Sequence, residues 1–269
     1  MVEEGSGTGL WDEGSFAPAP SEPVSGDPLA WPGYGNSLEK ARAASGQDES
    51  VVTGSARIGG HDIEVASFDF RFLGGSMGEA AGERLARAMD RAASQGVPFV
   101  LRTATGGARM QEGMRALVQM PKVVAARISM GDAKSPFIAV LGNPTTGGVF
   151  ASVASLADYT VAESGATIGF AGPRVVERVT GSAPTGDSHT AESALAHGLV
   201  DEVAPPGETR SVVARVLDVL VPADAPEDGA IEGIEVELPV DAWAAVEAAR
   251  AMDRPRGPDL VHQMADSYV

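Results

Sequence analysis

Two glycine pairs, Gly106-Gly107 and Gly147-Gly148, each follow an apolar run that reads as a strand, "FVLRT" and "FIAVLGN". No Cys, His, Asp or Ser nucleophile stands beside the first pair. The chemistry open to such turns is therefore that of the backbone. Glycine takes positive φ and lets a ligand approach the main chain closely. A helix that starts there presents free N–H groups and a partial positive charge. Together these make a hole for an oxyanion or enolate, in which each well-aimed donor contributes about 3–4 kcal/mol. A phosphate cradle is the other use of such turns. No G-x-x-x-x-G-K-[ST] occurs, and no G-x-G-x-x-G follows a strand, so nucleotide-binding loops are not supported. A plain structural turn is the remaining reading of either pair.

The elements that must position these turns alternate strand and helix. "VVTGSARIGGHDIEVASFDF" reads as two strands around Gly59-Gly60. The stretch ending at Gly96 is helical, with Leu85, Met89 and Ala92 on one stripe and Gly96 as its cap. "VPFVLRT" and "SPFIAVLGN" are continuous apolar strands, the pattern of strands buried on both faces. "ARMQEGMRALVQM" reads as a helix whose Met110, Met114, Leu117 and Val118 stripe belongs to the core, with Pro121 at a kink or a new start. Further helices are expected in "GGVFASVASLA", "PRVVERVTG", "TAESALAHG" and "TRSVVARVLDVLV". This is an α/β pattern. Residues 1–50, rich in Pro, Gly, Ser and acid, read as an extension that drapes over a partner or is partly disordered. The domain is expected over 51–222, an acidic linker over 223–240 and a last helical segment over 241–269.

The formal net charge of −17 argues against nucleic acid and anionic membranes as partners. With no cysteine, disulfides, thiolate catalysis and Cys-zinc sites are excluded. The four histidines, His61, His189, His197 and His262, have no metal-ligand spacing, so no metal is expected. The acidic N-terminus lacks the apolar core of a signal peptide, and no run approaches the ~20 apolar residues of a membrane span. The expectation is a soluble, cytoplasmic protein.

"FLGGSMG", "GGARMQEG", "NPTTGGVFAS", "IGFAGPRVVE" and "AHGLVDEV" occur in that order. Over about Val51 to Leu220 they resemble the β subunit of the acetyl-CoA carboxylase carboxyltransferase. The resemblance implies the crotonase (ClpP-like) fold of repeated ββα units. It implies transfer of the carboxyl group from carboxybiotin to acetyl-CoA, giving malonyl-CoA, with backbone oxyanion holes and released biotin as the base. It assigns Gly147, Gly148, Gly106 and Gly107 as oxyanion donors, and Ala108, Arg109, Gly172 and Arg174 as substrate-binding. The partners it implies are a carboxyltransferase α half, a biotin carboxyl carrier protein and a biotin carboxylase, in a hetero-oligomer. Members of this family commonly begin with a four-cysteine zinc ribbon, which this sequence does not contain. "DAWAAVEAARAMDRPRGPDLVHQMADSYV" resembles the opening of the α subunit, which implies a fused β–α architecture, truncated or split here.

Arg109 opens a helix, where a cation is mildly unfavourable, so it suits a CoA phosphate or a partner; the structural alternative is an ion pair with Glu112. Arg174 sits similarly after a glycine turn, with a subunit contact as a further role. Gln111 and Glu112 are expected to brace the turn. Two rivals remain at this level. One is another crotonase-fold acyl-CoA enzyme, a decarboxylase or isomerase. The other is a non-catalytic half that binds a partner.

Overall fold

The computed structural model describes residues 9–186, 188–221 and 241–251. They fall into two compact units, Met1–Arg215 and Val216–Val269. The expected acidic linker at 223–240, and the tail beyond residue 251, lie outside the described residues.

The first unit is built on an eight-stranded sheet of order β1-β2-β3-β4-β5-β6-β8, with β7 paired to β5. β1 (Ala17–Pro18) is antiparallel to β2 (Val51–Ile58), which forms the expected hairpin with β3 (His61–Phe68). β4 (Phe99–Thr105), β5 (Phe137–Thr146), β6 (Tyr159–Glu163), β7 (Ile168–Gly169) and β8 (Glu202–Ala204) pair in parallel. Phe99, Val100 and Leu101 of β4 are all buried, as are Phe137 to Leu141 of β5. A strand covered on both faces keeps apolar residues on both, hence the unbroken apolar runs.

α1 (Tyr34–Ser45) precedes the sheet's hairpin, and α2 (Glu79–Gln95) follows it. α2 carries Leu85, Met89 and Ala92 into the main core and ends on Gly96 in the left-handed conformation, as the sequence reading had it. The β2–β3–α2 succession is one ββα unit. α3 (Met114–Leu117) and α4 (Gln119–Asp132) come next, and α4 sends Val123, Ala126 and Met130 into the same core.

Two expectations are corrected here. The helix expected from residue 108 onward is broken at Gly113, so Met110 lies in a 3-10 turn and Met114 in α3. The supposed core stripe is exposed: Met110 is 78% accessible and Met114 68%, with Leu117 and Val118 also exposed. Apolar periodicity identifies a face, but not which surface covers it. Residues 9–50 carry two of the described elements. β1 joins the sheet, and Tyr34, Leu38 and Ala41 of α1 are buried with Phe72.

α5 (Gly147–Ser152) starts directly at the end of β5. α6 (Pro173–Thr180) has Pro173 at its first turn, as expected, and α7 (Ala191–Ala196) is capped by Thr190. α8 (Thr209–Leu220) crosses into the second unit, where α9 (Ala242–Arg250) is the other described helix. Among the described residues no helix is long and apolar enough to cross a membrane.

Candidate functional site

β4 and β5 are parallel neighbours, so the loops after their C-terminal ends emerge side by side, with Thr105 opposite Thr145. The two glycine pairs meet there. Gly107 (φ 107°) and Gly147 (φ 74°) both have positive φ, where a side chain is strained. A Cβ on Gly147 would lie 2.9 Å from the Gly107 Cα and 3.0 Å from the Gly106 carbonyl oxygen. A Cβ on Gly107 would lie 3.2 Å from the Gly148 nitrogen. Only glycine allows the two backbones to touch in this way.

The fate of each N–H decides which can act on a ligand. The Gly106 N–H donates to the Gly74 carbonyl at 2.9 Å, and the Gly107 N–H to Thr105 Oγ1 at 3.0 Å. The Gly147 N–H donates to the Phe170 carbonyl at 2.9 Å. Among the described residues, the Ala108 and Gly148 N–H groups have no acceptor. The N–H groups of three of the four glycines expected as donors are thus taken within the chain, while those of Gly148 and Ala108 stay open. The Gly148 N–H is open because it lies in the first turn of α5, before the helix supplies carbonyls.

Arg109 takes the structural alternative, the ion pair with Glu112, rather than an exposed place. Its side chain is 1% accessible and has no face toward a phosphate or a partner. It is ion-paired to Glu49 and, at 3.1 Å, to Glu112. It also donates to Ser25 Oγ at 2.7 Å, Ser50 Oγ at 3.1 Å, the Ser76 carbonyl at 2.5 Å and Ser76 Oγ at 3.2 Å, and its guanidinium lies 5.4 Å from the Phe72 ring centroid. Burial favours loss of its proton, but Glu49, Tyr34 and Glu112 outweigh that and hold the guanidinium charged. Burial pushes Glu49 the other way, yet Arg109 keeps its carboxyl below the ordinary range. Tyr34, desolvated and donating to Glu112 Oε1 at 2.6 Å, is pushed up to about 12. Glu112 also accepts the Glu79 N–H at 2.5 Å at the start of α2. It braces the turn, as the sequence suggested.

Gly172 is the N-cap of α6, and a Cβ there would lie 4.0 Å from Thr146 Oγ1, beside the second turn. Arg174 is exposed on α6, with no partner among the described residues. α6 buries no residue, and Phe170, Val175 and Val179 are exposed around it. Lys122 is ion-paired to Glu83. The residues that sequence reasoning missed are Ser25, Tyr34, Glu49, Ser76 and Met77. Only a buried arginine's need for counter-charges signals Glu49, and nothing local to Arg109 identifies it.

Residues 12–204 match the carboxyl transferase domain family. A probable biotin-dependent acyl-coenzyme A carboxylase beta3 subunit of Mycobacterium tuberculosis is 44% identical over 259 residues, covering 96% of this chain and 52% of that protein. The acetyl-coenzyme A carboxylase carboxyl transferase subunits beta/alpha of Salinispora arenicola are 41% identical, covering 97% of this chain and 48% of that protein. The chain therefore spans about half the length of these relatives. The crystal structure of transcarboxylase 12S with methylmalonyl-coenzyme A and methylmalonic acid bound has a TM-score of 0.66 at 28% identity, over 78% of this chain and 39% of that one. The fold is thus the mixed α/β crotonase fold of the carboxyltransferases.

Proposed function

This chain belongs to the carboxyl transferase domain family, and on that premise we propose that it forms half of a site that carboxylates a CoA thioester. The observation that carries the reading is the pair of open N–H groups, Ala108 and Gly148, on two abutting turns. Removing a proton beside a thioester carbonyl moves negative charge onto its oxygen. Two preorganised donors stabilise that enolate, each contributing about 3–4 kcal/mol. The substrate we assign is acetyl-CoA, carboxylated to malonyl-CoA. Carboxybiotin, on a carrier protein, supplies the carboxyl carbon. The enolate carbon forms the new C–C bond, the biotin N–C bond breaks, and the freed biotin nitrogen accepts the methyl proton.

Gly106, Gly107 and Gly147 act by letting the turns touch, and Gly172 lies at the rim. Arg174 and the exposed apolar face of α6 suit contact with the other half of the site. That half is a carboxyltransferase α-type domain, and the biotin carboxyl carrier and biotin carboxylase complete the system. The α-subunit-like pattern in residues 241–269 and the beta/alpha name of the Salinispora relative support the pairing.

The test is carboxyl transfer from carboxybiotin to acetyl-CoA, with this chain alone and with an α half added. Turnover only in the mixture is the expected result. Turnover by the chain alone would contradict the half-site, and none from a folded, associated mixture would contradict the carboxyltransferase reading.

A further inference from the structure

The open N–H of Ala108 is one end of a chain of peptide groups, and the other end is a buried cation. In a trans peptide the C=O and N–H point in opposite directions on one plane. The Ala108 N–H shares its plane with the Gly107 carbonyl, which accepts the Met77 N–H at 2.8 Å. The Met77 N–H shares its plane with the Ser76 carbonyl, which accepts from the Arg109 guanidinium at 2.5 Å. The Arg109 N–H returns to the Met77 carbonyl at 2.9 Å and closes the loop. Charge enters this relay from a guanidinium that cannot turn away. It is held by Glu49 and Glu112, and by Ser25 from the segment before β2.

We propose that Arg109 is a positioning residue that aims and polarises the Ala108 N–H through the Ser76–Met77 and Gly107–Ala108 peptides, with Glu49 and Ser25 holding it in place. Hydrogen bonds in series strengthen one another, and a charged donor at the head makes the terminal N–H a stronger donor. The segment before β2 is then part of the site's machinery rather than an extension of it. This rests on the oxyanion reading above.

The test is isotope-edited infrared spectroscopy of acetyl-CoA labelled with 13C at the thioester carbonyl, bound to the complete complex with the α half. In the wild type the carbonyl band moves to lower frequency on binding. Substituting Arg109→Gln together with Glu49→Gln removes the Arg109–Glu49 charge pair and leaves Glu112 accepting from Tyr34 Oη and the Glu79 N–H. It is expected to shrink that shift and to lower kcat about tenfold at unchanged KM, a loss smaller than that of a whole donor. Arg109→Lys, which keeps the charge but loses the fork, recovers part of both. A full wild-type shift and kcat in the double variant would show Arg109 to be a structural ion pair only. If the double variant does not fold, Arg109→Lys decides: an intermediate shift supports the relay and a wild-type shift overturns it. No shift in the wild type itself would overturn the hole, and the relay with it.

Discussion

The two glycine turns end with one open N–H each, but they are held in opposite ways. The 106–109 turn is held by charge: a buried guanidinium, two glutamates and a tyrosine fix it from behind. The 146–149 turn carries no charged side chain. It is held by the Gly147 N–H on the Phe170 carbonyl and by backbone pressed against the first turn. One donor depends on electrostatics drawn from distant segments, the other on close packing that excludes a side chain. The same surface feature therefore fails under different perturbations.

The largest effect is expected where charge does the holding. Arg109→Met leaves Glu49 and Glu112 buried without their cation, and breaking a buried pair from one side costs about 3–5 kcal/mol. Denaturant unfolding of the full chain checks this. In the packed turn, Gly147→Val drives a side chain into the first turn's backbone at a positive φ. Carboxyl transfer by the complete complex is expected to fall about 10²–10³-fold, the loss of one oxyanion donor. Activity near wild type would separate the second turn from the hole.

A third measurement sharpens the comparison through pH. The folded-state value of Glu49 is depressed because Arg109 outweighs its burial. Its stabilisation is therefore present above the ordinary 4.5 and is lost as pH falls through the depressed value. Glu64, paired with Phe99 at the start of β4 and so at the other end of that strand from the turn, is shifted upward by burial despite Arg91. Its contribution has the opposite sign, present below 4.5 and lost as pH rises through the raised value. Glu49→Gln is expected to flatten the acid side of the stability profile, and Glu64→Gln to leave that side as steep as in the wild type. The smallest effect is expected away from both turns. Val179, 79% accessible on α6, is exposed among the described residues. Val179→Ser should change stability by no more than about 0.5 kcal/mol while weakening association with the α half, read by sedimentation of the mixture.

The same contrast explains what the sequence revealed. The packed turn was legible, because Gly147-Gly148 after an apolar strand is a local signal, and so were β4, β5 and α2. The charged turn was legible in its glycines, in the bracing role of Glu112 and in the Arg109–Glu112 ion pair, but not in Glu49. Glu49 lies 60 residues before Arg109, and no local pattern links them. The Met110 and Met114 stripe misled because helical spacing does not distinguish a face turned to the core from one left open. Proline and glycine in residues 9–50 concealed the strand β1, whose order comes from its pairing with β2. That the open N–H groups are those of Gly148, one of the four expected, and Ala108 emerges only once the acceptors of Gly106, Gly107 and Gly147 are known.

The most direct test is a crystal structure of the complete complex with an acyl-CoA bound. The account predicts the thioester oxygen within about 2.7–3.1 Å of both the Ala108 and Gly148 nitrogens. A thioester oxygen bound to other donors, with those two N–H groups facing solvent, would contradict it.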